Sequence, residues 1–220
     1  METIHNHILA FMLAGFLFAA PAAHAKNDTQ AQQPLISLQG KLVRYLINPF
    51  GEVDGLFLDN GTLVKMPPHM SWDVAELVKP GDAIALQGMW EDESSVEAYS
   101  ITNTVSRQTL LRREPAWNGK VMPRELRVAE LKELSANGKI ERIITGKRGE
   151  PRIILLADGT NIRLPKDAAY DAYSLINAGA PFAAKGSGTE TRYGRSLEAS
   201  AIGSSPASLK PLFGTSGPSR

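Results

Sequence analysis

Short runs of alternating apolar and polar residues fill most of the chain, and turn residues separate them. A period of two is typical of β-strands that bury one face. One helix is predicted to begin at Ser71 and to end before Pro80-Gly81. In the first half of the chain, strands are predicted over residues 41–47, 53–58, 62–66, 83–89 and 96–101, so the helix follows the third strand.

The same pattern occurs a second time further along the chain. Residues 51–67 recur as residues 149–165, at an offset of 98 residues. Glu97 recurs as Glu198, at an offset of 101, which indicates a three-residue insertion in a late loop. Turn glycines keep the offset of 98 in the pairs Gly40 and Gly138, Gly81 and Gly179, and Gly88 and Gly186. The chain is therefore a tandem duplication of one small β unit.

Each copy has the element order of a five-stranded OB barrel, which places its helix between the third and fourth strands. In the second copy, strands are predicted over residues 139–145, 152–157, 160–164, 181–185 and 196–202, and a helix near 168–177. The predicted fold class is all-β with short helices, as two tandem five-stranded OB-like barrels (β-β-β-α-β-β each). We call residues 40–102 unit one and residues 138–203 unit two.

Residues 1–25 have the pattern of a Sec-type signal peptide. Residues 8–20 are apolar, Pro21 breaks the run, and Ala23-His24-Ala25 supplies small residues before a predicted cleavage after Ala25. The run is too short for the roughly 20 residues of a spanning helix. We therefore expect a periplasmic or secreted protein. The first residues contain no Lys or Arg, so a retained anchor stays open as the alternative.

Three further segments are predicted outside the two units. Residues 26–39 are polar and rich in Gln, which predicts a flexible lead-in. Residues 103–137 form a basic connector, with a helix expected over 123–136 that closes the end of the second barrel. Residues 204–220 are rich in Ser, Gly and Pro, which predicts a disordered tail.

Charge is divided unevenly between the units. Unit one has 4 Lys/Arg and 10 Asp/Glu, a net −6, whereas unit two has 10 and 7, a net +3. The connector also carries +3, from 7 basic and 4 acidic residues. Opposite charges favour docking of the two units on each other, or two separate outside partners.

The basic residues of unit two form the first candidate binding site. They lie on or beside the predicted first three strands, next to the face that OB barrels use for ligands. Their charge fits an acidic protein or an anionic component of the cell envelope, although a solvated basic face without a partner is the simpler alternative. The predicted basic face comprises Arg142, Lys147, Arg148, Arg152 and Arg163.

Turn residues common to both units carry a family resemblance. Gly-Lys, then Gly-Glu, then Leu-x-x-Gly-Thr and a proline occur in the same order in both copies. This pattern resembles the small exported OB-fold proteins of bacteria, including the periplasmic stress-associated OB-fold family. The resemblance implies a non-catalytic envelope or stress-associated accessory protein that acts by binding.

A second resemblance is confined to one loop of unit one. Met66, His69, Met70 and Trp72 place two thioethers, an imidazole and an indole within seven residues. The cluster is similar to the periplasmic copper and silver chaperones, which are also OB-fold proteins and hold Cu(I) or Ag(I) with Met and His beside Trp. Soft thioethers select Cu(I). The alternative is that the methionines fill the barrel end.

Enzyme chemistry is not expected from this sequence. The chain has no Cys, and His69 is the sole histidine after the predicted cleavage site. No Gly-rich phosphate loop occurs, and no cofactor is expected outside the Cu(I)/Ag(I) alternative. Single-stranded nucleic-acid binding is a further alternative, but unit two offers few aromatics for base stacking, and export weighs against nucleic acid as a partner.

Overall fold

A computed structural model describes residues 34–115, 120, 123, 130–146, 148–165 and 174–212. The predicted signal peptide lies outside these residues. Barrel one, which contains unit one, is built from six strands and one helix. The strands are β1 (Ile36–Ile47), β2 (Val53–Leu58), β3 (Leu63–Lys65), β4 (Ala83–Trp90), β5 (Ser95–Asn103) and β6 (Thr109–Leu111), and the helix α1 is Ser71–Leu77.

The strands of barrel one pair in the order β3-β2-β1-β4-β5-β6. A parallel pairing of β3 with β5, which sets Val64 opposite Val96, closes the first five strands into a barrel. The helix α1 lies between β3 and β4 in the chain, as predicted, after a short 3-10 turn at Pro68–Met70. Strand β6 adds to the outer edge of β5.

Barrel two repeats this arrangement. Its strands pair in the order β10-β7-β8-β9-β11-β12, and a parallel pairing of β9 with β11 closes it. The predicted fold class, two tandem five-stranded OB-like barrels, is confirmed. The strands are β7 (Lys132–Thr145), β8 (Pro151–Leu156), β9 (Asn161–Arg163), β10 (Pro181–Thr191), β11 (Gly194–Gly203) and β12 (Lys210–Pro211).

Alternating apolar residues fill each barrel. Ile47, Leu56 and Val64 are among the buried residues of the first core, and Ile140, Ile154 and Phe182 belong to the second. Burial of apolar surface on this scale is the main stabilising force of such small barrels. All the described residues belong to one compact unit.

The lead-in prediction was wrong for residues 36–39. These residues are the start of β1, which pairs with β4 from Ile36 opposite Gly88 to Lys41 opposite Ala83. Ile36 and Leu38 pack against the first core. Their alternation with Ser37 and Gln39 is itself a strand pattern, and it continues β1 backwards without a turn.

The prediction of a helix in the connector was wrong for residues 132–136. Strand β7 begins at Lys132 and pairs with β10, with Leu134 opposite Gly186 and Ala136 opposite Ala184. Leu134 and Ala136 turn to the second core, so a period of two, and not the spacing of leucines along a helix, decides this segment. Residues 124–129 of the predicted helix lie outside the described part.

The tail and the second predicted helix also need correction. Residues 204–212 are ordered as a 3-10 turn at Pro206–Ser208 and strand β12, and they end at the buried Leu212. Residues 213–220 lie outside the described part. Of the helix predicted near 168–177, residues 168–173 are not described, and residues 174–177 form turn and coil. Among the helices of the described ranges, none has the length and apolar character needed to cross a bilayer.

Candidate functional site

The two barrels pack on each other through a small apolar interface. Strands β1 and β3 contribute Leu46 and Leu63, and β7 and β8 contribute Ile144 and Leu155. Phe57 and Ile153 lie at the margin of this cluster. The face of the second and third strands is the surface that OB folds use to bind oligomers. In this chain, those faces are turned towards each other.

Two equivalent arginines join the barrels around this apolar interface. Arg142 of barrel two donates a hydrogen bond to the carbonyl of Gly61, and Arg44 of barrel one pairs with Glu141. Arg44 also passes the matching turn, where a Cβ on Gly159 would lie 3.7 Å from its Cδ. Because 44 and 142, like 61 and 159, are equivalent positions of the duplication, the contacts are reciprocal, as in an isologous dimer.

The reciprocity is broken at one pair of positions. Arg163 of β9 pairs with Asp54 of β2 across the interface. The duplication makes Lys65 equivalent to Arg163, and Arg152 equivalent to Asp54. The reciprocal position therefore holds two cations where the other holds an ion pair. Lys65 turns to Glu91 of its own barrel instead.

Burial dominates the electrostatics of the Asp54 carboxyl. Removal from water raises the pKa of Asp54, and the charge and hydrogen bond of Arg163 oppose that shift. Arg163 Nε is buried without a hydrogen-bond partner among the described residues. The ion pair therefore carries a desolvation cost on both sides, as buried pairs do.

A cleft opens beside this interface, with a volume of about 550 Å³. Apolar side chains from both barrels form much of its wall, including Leu63, Met66 and Ile153. The charged residues at the cleft are Lys65, Arg152 and Arg163, with Asp54 and Glu198. The cleft draws side chains from both barrels, and pockets of this kind are the usual places for small ligands.

The three-residue insertion lengthens the β10–β11 hairpin, and this hairpin reaches barrel one. Strand β10 has 11 residues where its counterpart β4 has 8. Tyr193 at the tip packs edge-to-face on Tyr45, with ring centroids 5.4 Å apart and planes at 84°. Burial, with a further effect from Tyr193, raises the pKa of Tyr45 to about 12, and its hydroxyl donates to the Val78 carbonyl at 2.6 Å.

The structure divides the predicted basic face. Arg142 and Arg163 are engaged in docking the barrels, and Arg152 lies in the cleft. Arg148 is exposed on the loop between β7 and β8, and Lys147 lies outside the described residues.

The two units dock on each other, as the charge distribution favoured. The Asp54–Arg163 pair follows the net charges of the units, whereas Arg44–Glu141 joins a cation of the acidic unit to a carboxylate of the basic unit.

The connector is also held to barrel one by charge. Arg112 pairs with Glu97 and lies 5.7 Å from the ring centroid of Tyr99. Arg113 pairs with Asp73 of α1. The positive charge of the connector therefore offsets part of the negative charge of unit one at these contacts.

The predicted metal ligands are divided between core and surface. Met66 and Met70 belong to the first hydrophobic core, and Met70 is 0% exposed. His69 is half-buried, with its Nε2 at 2.8 Å from the Arg113 carbonyl. Trp72 is 66% exposed and has Arg192 over its ring at 5.7 Å. These positions fit the alternative in which the methionines fill the barrel end, and metal binding stays a prediction.

Comparison with known proteins adds little to this geometry. No family model matches the chain, and no curated protein matches it. Among solved structures, the chain is similar to a deletion mutant of the single-stranded DNA binding protein from Thermus aquaticus. The identity is 13%, the TM-score is 0.23, and the match covers 84% of this chain and 97% of that chain. A TM-score this low supports no conclusion about function.

Sequence reasoning missed several residues that shape the site. Arg44 and Glu141 were not connected, although Arg44 and Arg142 share the repeat offset. Lys65 was also missed. Comparing charges at equivalent positions would have exposed it, because Asp54 is replaced by Arg152 while Lys65 and Arg163 keep their sign.

Proposed function

We propose that the protein is an exported, non-catalytic accessory protein of the bacterial envelope that binds an anionic envelope component. The contact surface is the edge of the interbarrel cleft in barrel two, formed by Arg148 and Arg152. Membership of the periplasmic stress-associated OB-fold proteins is part of this proposal, and it rests on the turn residues shared by the two units.

The mutual packing of the two OB faces is the observation that carries this proposal. With Phe57, Leu63 and Leu155 turned into the interface, a partner has to meet other surfaces. OB folds also bind through the loop between their first two strands. In barrel two this loop carries the exposed Arg148, and it continues into Arg152 at the cleft.

The charge of these two arginines is available to an outside partner. Arg152 forms no ion pair with a carboxylate among the described residues, and acts on Glu150 at longer range. The Glu150 carboxylate accepts a hydrogen bond from the Arg148 backbone amide at 3.0 Å. Hydrogen bonds from the backbone, and the charges of these two arginines, lower the pKa of Glu150.

Single-stranded nucleic-acid binding is less well supported. Such binding needs exposed aromatic rings in a cationic groove. The exposed aromatic side chains among the described residues are Trp72, Trp90 and Tyr99. All three belong to barrel one, and unit one has a net charge of −6. This function stays a prediction without a described surface that favours it.

Co-sedimentation with vesicles tests the proposal. Vesicles of phosphatidylcholine with phosphatidylglycerol should retain the protein at low salt, and pure phosphatidylcholine should not. Each basic side chain near an anionic surface contributes about 1 kcal/mol. The double variant Arg148→Glu/Arg152→Glu should therefore bind at least about thirtyfold more weakly.

A matched control distinguishes the loss of this site from a general change in the net charge of the protein. Arg107→Glu/Lys210→Glu makes the same change in charge at two exposed positions away from the cleft, and it should keep most of the binding. Equal losses in both variants would show that net charge alone attracts the protein. No retention of the unaltered protein at low salt would exclude an anionic surface as the partner.

A further inference from the structure

We propose that the interbarrel cleft binds an amphipathic anion, with an apolar chain in the cleft and a carboxylate or phosphate group between Lys65 and Arg152. This inference rests on the proposed function, because it names the ligand class for the same cationic edge. The vesicle experiment tests the cationic edge formed by Arg148 and Arg152. A separate experiment with a small soluble ligand tests the cleft.

Broken reciprocity is the first reason for the inference. The duplication places Asp54 against Arg163 on one side of the interface, and Lys65 with Arg152 on the other. The first side is neutral as an ion pair. On the second side, Lys65 is paired with Glu91 of its own barrel, and Arg152 has no ion pair with a carboxylate among the described residues. An anion beside Arg152 would supply on this side the charge partner that Asp54 supplies on the other.

The distribution of carboxylates at the cleft points the same way. Asp54 pairs with Arg163, and Glu198 lies directly opposite Arg163 in the parallel pairing of β9 with β11. Both acidic residues of the cleft wall are therefore next to Arg163. Lys65 has Glu91 as its partner, which leaves Arg152 as the cation of the cleft without an ion pair among the described residues.

The lining of the cleft determines the rest of the ligand. Its volume of about 550 Å³ lies within the roughly 300–1,000 Å³ of small-molecule sites. Apolar side chains make up much of the wall. Pro68, Ile153 and Pro165 are partly exposed there, and a ligand with an apolar chain would remove their exposed surface from water. The apolar lining residues are Leu46, Leu63, Met66, Pro68, Ile144, Ile153, Leu164 and Pro165.

Isothermal titration calorimetry of the purified protein with decyl phosphate and with decanoate tests the inference. At least one of the two should bind with one ligand per chain, and the stronger of them identifies the preferred anionic group. Neutral 1-decanol should bind about tenfold more weakly or worse, because a hydrogen bond to a charged group contributes that much to affinity.

Three single variants locate the anionic group. Arg152→Gln and Lys65→Gln should each weaken the tighter ligand by about tenfold. Arg107→Gln is the matched control, since Arg107 is exposed on a turn of barrel one and does not line the cleft, and its affinity should stay within about twofold of the unaltered protein. Circular dichroism and the unfolding midpoint establish that each variant is folded.

Three results would overturn the inference: no heat with either anion, equal binding of 1-decanol, or unchanged affinity in Arg152→Gln. If vesicles still retain the protein in any of these cases, the proposed function stands and only the cleft ligand is wrong. Conversely, binding of decyl phosphate by a protein that vesicles do not retain would confirm the cleft site and refute the surface function.

Discussion

The guanidinium of Arg142 in barrel two lies 5.6 Å from the ring centroid of Phe57 in barrel one. Arg44 approaches the same ring at 5.0 Å, so the phenyl ring meets a guanidinium from each barrel. Arg142 also donates to the Gly61 carbonyl. These contacts fix the outer face of β2 against barrel two, and they close the surface through which an OB barrel would otherwise bind a strand of nucleic acid.

A double-mutant cycle measures the contribution of this contact. Phe57→Leu introduces the residue type found at the equivalent position, Leu155, and keeps an apolar side chain while it removes the ring. We expect a coupling free energy between Phe57→Leu and Arg142→Ala of about 0.5–1 kcal/mol in urea unfolding, the usual size of a cation–π contact. Arg107→Ala, at an exposed turn, should show no coupling. Additive effects of the two interface changes would contradict the contact.

The Asp54–Arg163 pair predicts a pH dependence of stability. Because burial raises the pKa of Asp54 above its usual 3.8, the protonated carboxyl stabilises the fold below that pH. This contribution is lost as the pH rises through the raised pKa. Asp54→Asn cannot titrate, so its stability relative to the unaltered protein should increase as the pH rises above about 4.

Urea unfolding at several pH values checks this expectation. Asp59→Asn, at an exposed turn of barrel one, is a control with the same chemical change. If Asp54→Asn became relatively less stable as the pH rose, the attraction of Arg163 would outweigh burial, and the assignment of the shift would be wrong.

The contact of Tyr45 with Tyr193 predicts a transition at alkaline pH. The pKa of Tyr45 is raised to about 12, against about 10 in an unfolded chain. Its contribution to stability is therefore complete below pH 10 and is lost between about pH 10 and 12. Tyrosinate absorbance should show a phenol that titrates near pH 12 in the folded protein, and Tyr193→Ala should lower that midpoint. An unchanged midpoint would mean that the hairpin tip does not cover Tyr45.

Gly186 is predicted to be intolerant of a side chain. It lies at a bulge between β10 and β11, where an added Cβ would overlap the backbone carbonyl of Glu198. Gly186→Ala should lower the free energy of unfolding by about 3 kcal/mol or more, because backbone has to move. Gly138→Ala is the control. Its Cβ would meet Leu156 at 3.5 Å, an ordinary contact, and a similar loss there would contradict the explanation.

The fold could be predicted because the sequence contains two copies of the same β unit. Glycines such as Gly88 and Gly186 occupy the same bulge in both barrels, and the offset between them identifies equivalent strands. The insertion before Glu198 was also predicted, but its consequence was not. Strand period and turn residues do not determine where a longer hairpin reaches, so the contact of Tyr193 with Tyr45 needed the structure.

The candidate site was harder to predict than the fold. Arg142 and Arg163 are basic residues on strands of an OB barrel, and a sequence does not distinguish a cation that binds an outside ligand from one that docks a sister barrel. The structure makes this distinction through Gly61 and Asp54. The charged residues of the cleft come from strands of both barrels that are far apart in the sequence. A local sequence pattern does not show that they lie together.

Mutual packing of the two OB faces is the central claim, and amide residual dipolar couplings test it most directly. One alignment tensor should fit the couplings of both barrels, because the interface holds them as a single body. In Leu155→Asp, which places a carboxylate in the apolar interface, the two barrels should need different tensors. Different tensors for the two barrels of the unaltered protein would contradict the claim.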